Sequence, residues 1–552
     1  MSHRTLPVVL VAALAGQALA QTAVATVNDP KSHGTLGDAK LSLEEAIRYA
    51  NDDLFVNQLS AAERAQITGT GPLAEARIGV PTITLERLLT PIVTVSHSHV
   101  HFHMMSAPAL ALPAVIDGTG FDVVLTIRTN HAELHGLVIQ GGKVGVDGDS
   151  SLHYHPGEKI TLHDVEFMGQ TEAGLRLRVP GNPPGQQVPV LLEHVHFMDL
   201  PIAIDLIDAG SFGSMALVAE HLEIVNCKVG IQATVTAMGG ISTAEFFRSN
   251  ILGAENAVVV RRPNAASDGQ WFMRFVHGVV TATRNGIDVQ GSNGETVIHH
   301  HHLLLRGGAG PTDHALITWP RTARFDVHGS ENVVDGNVTI LANRSSRRIW
   351  QQNTRYTNGT FTLDNEGTAP ELQWNVFESV PLVIPATSRT PFTVKACEFV
   401  RSPIAGNSTL GALTLDGCYL GSSPLSGSVT NNNQAPGRWL GRSRVVPAHV
   451  NLGQPVYLSL DLQPGIAAVW LLGDSMARPQ TTNYPFRYYL DLNAMLVLPG
   501  VYTLMDTVTL TVPNVASLRG AEFYAQPVTV PTAGQSYVPA FLLPPGGVFQ
   551  IE

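Results

Sequence analysis

Histidine is the residue most able to do chemistry here, with 22 in the chain, and several fall in rows. His97, His99, His101 and His103 alternate with Ser98, Val100 and Phe102. In a strand these four share one face, about 6.5–7 Å apart, while Val100 and Phe102 take the other. Imidazole is a common Zn²⁺ or Cu²⁺ ligand, so this face is a candidate metal site, with a solvated strand face as the plainer reading. His299 to His302 form a second cluster, two on each face if that segment is a strand. A third set comes from aligning similar segments. Asp164, His194 and His221 occupy equivalent places, and Glu166, His196 and Glu223 follow two residues later. Stacked strands would bring these carboxylates and imidazoles within about 4.8 Å. The set is either a surface ladder that fixes register or a glycan-binding or acid–base patch. Cys397 and Cys418 match in two successive segments, at a spacing that suits either a disulfide or two reduced core thiols.

Such rows require elements that repeat. Ile160–Phe167, Val190–Phe197, Leu217–Ile224 and Ala244–Ile251 align, and most are followed by a second short alternating piece, as in Gly174–Val179, Ala203–Leu206 and Gly230–Val235. Strands this short cannot bury an apolar face alone. Stacked in successive turns they bury one continuous column, which is the logic of a solenoid. The composition agrees. Charged residues make up only 14% of the chain, and 51 Gly and 35 Pro suit many short strands and turns better than long charged helices. A net charge of −11 without a basic stripe argues against a nucleic-acid partner. Ser42–Asn51 reads as an amphipathic helix opened by a Ser42/Glu45 capping box, which would close one solenoid end.

The N-terminus has the features of a secretory signal over residues 1–20: Arg4, an apolar run Leu6–Ala15 and Ala18-Leu19-Ala20 before Gln21. No later apolar stretch is long enough to span a membrane, so a secreted or cell-surface location is expected. The series Gly34-Thr-Leu-Gly, Leu41-Ser-Leu-Glu-Glu-Ala-Ile-Arg-Tyr-Ala-Asn51, Thr82-Ile-Thr-Leu85 and Ile116-Asp-Gly118 resembles bacterial secreted right-handed β-helix proteins of the pectin-lyase-like type. Glu44 stands where those proteins usually carry Arg. The resemblance implies an all-β chain. A right-handed parallel β-helix would occupy 21–435 with its cap helix near 42–51, followed by a linker at 436–449 and a small antiparallel β-sandwich over 450–552.

That resemblance does not settle function, because the fold hosts lyases, hydrolases, adhesins and tailspikes. The carboxylate motifs of its polygalacturonases are missing, apart from Asp52-Asp53 at the end of the cap helix. No acidic cluster of the kind its lyases use for Ca²⁺ stands out on consecutive repeats, so Ca²⁺ is expected only if the chain is a lyase. The favoured expectation is a non-catalytic extracellular scaffold contacting a polysaccharide or cell-surface component. The alternative is a polysaccharide lyase or glycoside hydrolase working in a groove along the helix.

Overall fold

The computed structural model describes residues 22–551 outside 94–100, 154–157, 180–186, 210–213, 237–239, 263–268, 292–294, 319–323, 343–348, 367–369, 433–440, 463–466, 474–494, 499–501, 519–521, 531–546 and some single or paired positions. His97 and His99 therefore lie outside the described residues, and so does all of 1–21. The rest is almost entirely strand. One large sheet takes in every strand from Ala23–Val27 to Val429–Asn431, and nearly all of its pairings are parallel.

The alternation of apolar residues explains the sheet, because most pairings set an apolar residue on its equivalent in the next repeat. One interior column runs Ala25, Ala76, Met104, Leu134, Leu162, Leu192, Ala219, Phe246, Phe275, His300, Gly329, Gln351, Leu372, Val394 and Leu415, and its register continues to the exposed Asn431. A second includes Ile139, Phe167, Phe197, Ile224 and Ile251. A third includes Val146, Leu175, Ile204, Ile231 and Val258. Each repeat thus supplies three strand segments. Phe167 stacks on Phe197 at 4.7 Å and Phe377 on Phe399 at 4.8 Å, both near parallel. Apolar side chains from Ala23 to Cys418 form one continuous buried cluster. Burial at about 25 cal/mol per Å² is the main force holding such short strands together.

The helix Leu43–Ala50 begins at Ser42, whose hydroxyl accepts from the Glu45 amide at 3.3 Å while the Glu45 carboxylate accepts from the Ser42 amide at 2.8 Å. Glu44 is fully buried, and its carboxylate accepts from the Thr90 amide at 2.7 Å and the Thr90 hydroxyl at 2.6 Å. The unusual acid thus ties the helix to the segment that follows the strand Thr82–Leu85. A second, shorter helix spans Ala61–Arg64. Among the described residues no helix is long and apolar enough to cross a membrane.

After Asn431 the pattern changes to mostly antiparallel pairing. Gly441–Val446, Pro455–Leu462 and Met505–Thr511 form a three-stranded sheet. Ala467–Gly473, Glu522–Val530 and Gly547–Ile551 form the centre of a second. Val456 and Leu458 of the first sheet and Val450 and Ala525 of the second share a small core. The stretch 436–449, expected to be linker, contains two strands of this region, Gly441–Val446 and His449–Val450. Arg442-Ser-Arg-Val-Val446 has too little apolar alternation to announce a strand, and its pairing with Pro455–Leu462 creates one.

Cys397 and Cys418 lie at matching places in neighbouring repeats, and both are buried free thiols. Cys397 Sγ donates to the Lys395 carbonyl at 3.4 Å and Cys418 Sγ to the Val394 carbonyl at 3.3 Å.

Candidate functional site

In the strand Phe102–Ser106, Phe102 and Met104 point into the core, so His101 and His103 project from the opposite face. The neighbouring strand Ala132–Gln140 lies in parallel register and sets Glu133 beside His103. His103 Nδ1 is 3.1 Å from Glu133 Oε2, and the His101 and His103 rings are 4.8 Å apart. Glu158 reaches to 3.8 Å from His101 Nε2. Burial, then the charge of His103, lowers the pKa of His101. The carboxylate that completes this set comes from 30 residues further along the chain, beyond the reach of local spacing.

Two residues along the same strand, His135 faces His163 of the next. His163 Nδ1 lies 2.9 Å from Asp164 Oδ2, and His135 Nε2 lies 3.4 Å from the same oxygen. A third grouping, Asp29, His33 and Asp38, sits before the cap helix, with His33 Nε2 at 3.0 Å from Asp29 and 3.2 Å from Asp38.

The aligned row Glu166, His196 and Glu223 is in direct register, and His196 Nδ1 is 2.9 Å from Glu223 Oε2. Asp164, His194 and His221 are likewise equivalent, but they do not occupy plain strand positions. Each sits at a corner with φ of 53°, 54° and 54°, in the left-handed region. Arg248, His277 and His302 continue the same corner, at φ of 48°, 55° and 52°. The corner bends the chain between two strand segments and turns these side chains off the strand face. Asp and His are among the non-glycine residues that tolerate this conformation. The imidazoles then stack: His194 on His221 at 4.8 Å and His277 on His302 at 4.7 Å. The same corner corrects the expectation of two His per face at 299–302. His299 and His301 project outward, His300 is fully buried, and His302 occupies the corner.

Around this second cluster the outward face becomes aromatic. Arg274, His299, His328 and Trp350 are successive partners in one row, with Phe272 and Phe247 alongside. The His299 ring stacks on His328 at 4.4 Å and meets Phe272 edge-on at 4.7 Å, and Trp350 lies 6.0 Å from His328. Arg274 sits 5.8 Å from the centre of the Phe247 ring and 3.5 Å from Glu245. Burial, then the nearby His328 and Arg274 charges, pulls His299 down to about 4. Burial and the neighbouring imidazoles bring His301 to about 3. Both are neutral at pH 7 and can donate and accept hydrogen bonds.

No family model, curated protein or solved structure matches this chain.

One further row escaped the sequence reading. On the strands Val144–His153, Ala173–Val179, Ile202–Asp208 and Val229–Val235, Asp147, Arg176, Asp205 and Gln232 are successive register partners. Asp147 is 3.0 Å from Arg128 and 3.2 Å from Arg178, and Arg176 is 3.0 Å from Asp205. Both aspartates are 4% exposed. The two acids stand on alternate repeats, with Arg176 between them. These acids are interleaved with arginines that neutralise them, so they do not read as an acidic patch. The signal was present as Asp between apolar residues in Val146-Asp-Gly148, Ile204-Asp-Leu206 and Ile287-Asp-Val289. Asp288 lines a shallow open pocket with Arg284, Asn285, Gln290 and His314, and its Oδ2 accepts from Gln290 at 2.9 Å.

Proposed function

We propose that the protein is a secreted scaffold whose parallel strands are wound as a right-handed β-helix of pectin-lyase-like type, presenting one flank to an extracellular polysaccharide or cell-surface glycan. The constant order of three strand segments per repeat supports the winding, and right-handed connection is the near-universal rule for parallel strands. At about 4.8 Å per step, the fifteen steps from Ala25 to Asn431 correspond to a rod on the order of 70 Å long. Cooperative stacking makes such an array stiff.

The observation that carries the glycan reading is the outward row Arg274, His299, His328 and Trp350 with Phe272 beside it. Aromatic and neutral imidazole faces can pack on the apolar face of a sugar ring, while Arg274 and Glu245 can hydrogen-bond its hydroxyls. The row crosses successive strands, which suits an extended chain of sugars better than a single ring. Affinity electrophoresis of the mature protein through gels containing acidic or neutral polysaccharides tests this. Retardation that is lost in W350A with unchanged far-UV circular dichroism supports it, and equal mobility of wild type and W350A on every polysaccharide refutes it.

A polysaccharide lyase or hydrolase is the second reading, favoured by the Asp147–Arg176–Asp205 row. Asp147 and Asp205 are two strands apart, about 9.6 Å at 4.8 Å per step, close to the upper end of the carboxyl spacing in inverting glycosidases. Their arginine partners favour a structural role. Release of reducing ends or unsaturated product by the wild type, abolished in D147N or D205N, would establish catalysis over scaffolding.

A further inference from the structure

We propose that His101, His103 and Glu133 form a binding site for a divalent transition-metal ion of the zinc class. The proposal is independent of the glycan reading, because the cluster lies on different strands from Trp350 and its neighbours.

Three features of the fold assemble the site. His101 immediately precedes the strand Phe102–Ser106 and His103 lies within it, so burial of Phe102 and Met104 leaves both imidazoles on the opposite side. Parallel register then places Glu133 directly across from His103. Both strands belong to the large sheet, so the three donors rest on a rigid support.

The distances suit an ion. Zinc holds nitrogen and oxygen donors at about 2.0–2.2 Å, which puts two ligands of a tetrahedral site about 3.3 Å apart. His103 Nδ1 and Glu133 Oε2 are already 3.1 Å apart. The donor atoms of all three residues lie within 4.8 Å of one another, so closure needs an approach of about 1.5 Å, which ring and carboxylate rotation can supply. Glu158, 3.8 Å from His101 Nε2, is placed to be a fourth ligand or to hold a bound water. Two imidazoles and one carboxylate match zinc or copper. Calcium and magnesium favour shells built from oxygen.

The adjacent cluster of His135, His163 and Asp164 supplies an internal control. Its carboxylate is half exposed, and its imidazoles come from two different strands.

The test uses the untagged mature protein, titrated with Zn²⁺ against a chromogenic chelator and with Co²⁺ by visible absorption. The expected result is one ion bound with the intense absorption of low-coordinate cobalt, undisplaced by excess Ca²⁺. H103A and the near-isosteric E133Q should each weaken Zn²⁺ binding by at least about tenfold, since even outer-shell changes cost that much. H163A should leave it unchanged, and circular dichroism confirms that each variant is folded. Absence of Zn²⁺ binding by the wild type, wild-type affinity in both H103A and E133Q, or loss in H163A alone would overturn the assignment.

Discussion

Lowering the pH should loosen the strand Glu295–Arg306 through a single buried imidazole, His300. The side chain is completely buried in the column between Phe275 and Gly329. Its Nε2 lies 3.4 Å from the Gln351 amide nitrogen, and Gln351 in turn accepts from the Tyr356 hydroxyl at 3.0 Å. Burial, with the neighbouring His299 charge adding to it, takes the pKa from its ordinary 6.5 to about 4. The opened strand therefore binds a proton that the closed strand refuses. The stabilisation is complete above about pH 6.5 and is lost as the pH falls through that value towards 4. At pH 5 the two pKa values give a factor of about thirty, or about 2 kcal/mol. Amide hydrogen exchange on peptides covering 295–306, corrected for the intrinsic rate, reads this locally. About a quarter of the unfolded-state imidazoles are already protonated at pH 7, so between pH 7 and pH 5 the wild type should lose about twentyfold more protection than H300Q, whose side chain does not titrate. His299 and His301 add to the slope in both proteins, so the difference between them isolates His300. Equal loss of protection in wild type and H300Q would refute the reasoning.

Phe197 stacks on Phe167 and is 1% exposed, so F197A should cost about 3–5 kcal/mol, measured as a lowered urea midpoint for loss of strand signal. R176A leaves the carboxylate of Asp205 buried without its arginine. It should destabilise by about 3–5 kcal/mol at pH 7, and R176A/D205N should recover much of that loss in the same urea experiment. Burial, with the nearby Asp199 charge, pushes the Cys227 thiol up to about 11, so at pH 8 roughly one molecule in a thousand carries the thiolate. Iodoacetamide should leave Cys227 unmodified in the native protein and alkylate it in denaturant, as read by peptide mass. Rapid modification under native conditions would contradict that burial.

The parallel ladder was legible because its signal is local and redundant. Leu162, Leu192 and Phe246 each sit in a short alternating run, and only one stacking buries all the runs together. The capping box at Ser42 and Glu45 was legible for the same reason, since both partners lie within four residues. The corners were not. Left-handed backbone is usually announced by glycine, and here Asp164, His194 and Arg248 adopt it. Aligning their segments as continuous strands placed those side chains on a face they do not share. The strand Gly441–Val446 was hidden because it exists through its antiparallel partner and has weak alternation of its own.

The histidine rows divide in the same way. Sequence alone determined that His101 and His103 share a face and that Glu166, His196 and Glu223 stack, because period-two geometry and the repeat fix those relations. Tertiary structure alone decided what each row meets. Glu133 reaches His103, Asp164 bridges His135 and His163, and Arg176 neutralises Asp205 through contacts between residues that are distant in the chain or turned by a corner. Side-chain alternation is a property of one strand, whereas a site on a stacked sheet is built across strands. Its chemistry depends on register and on the length of each intervening loop, and composition carries neither.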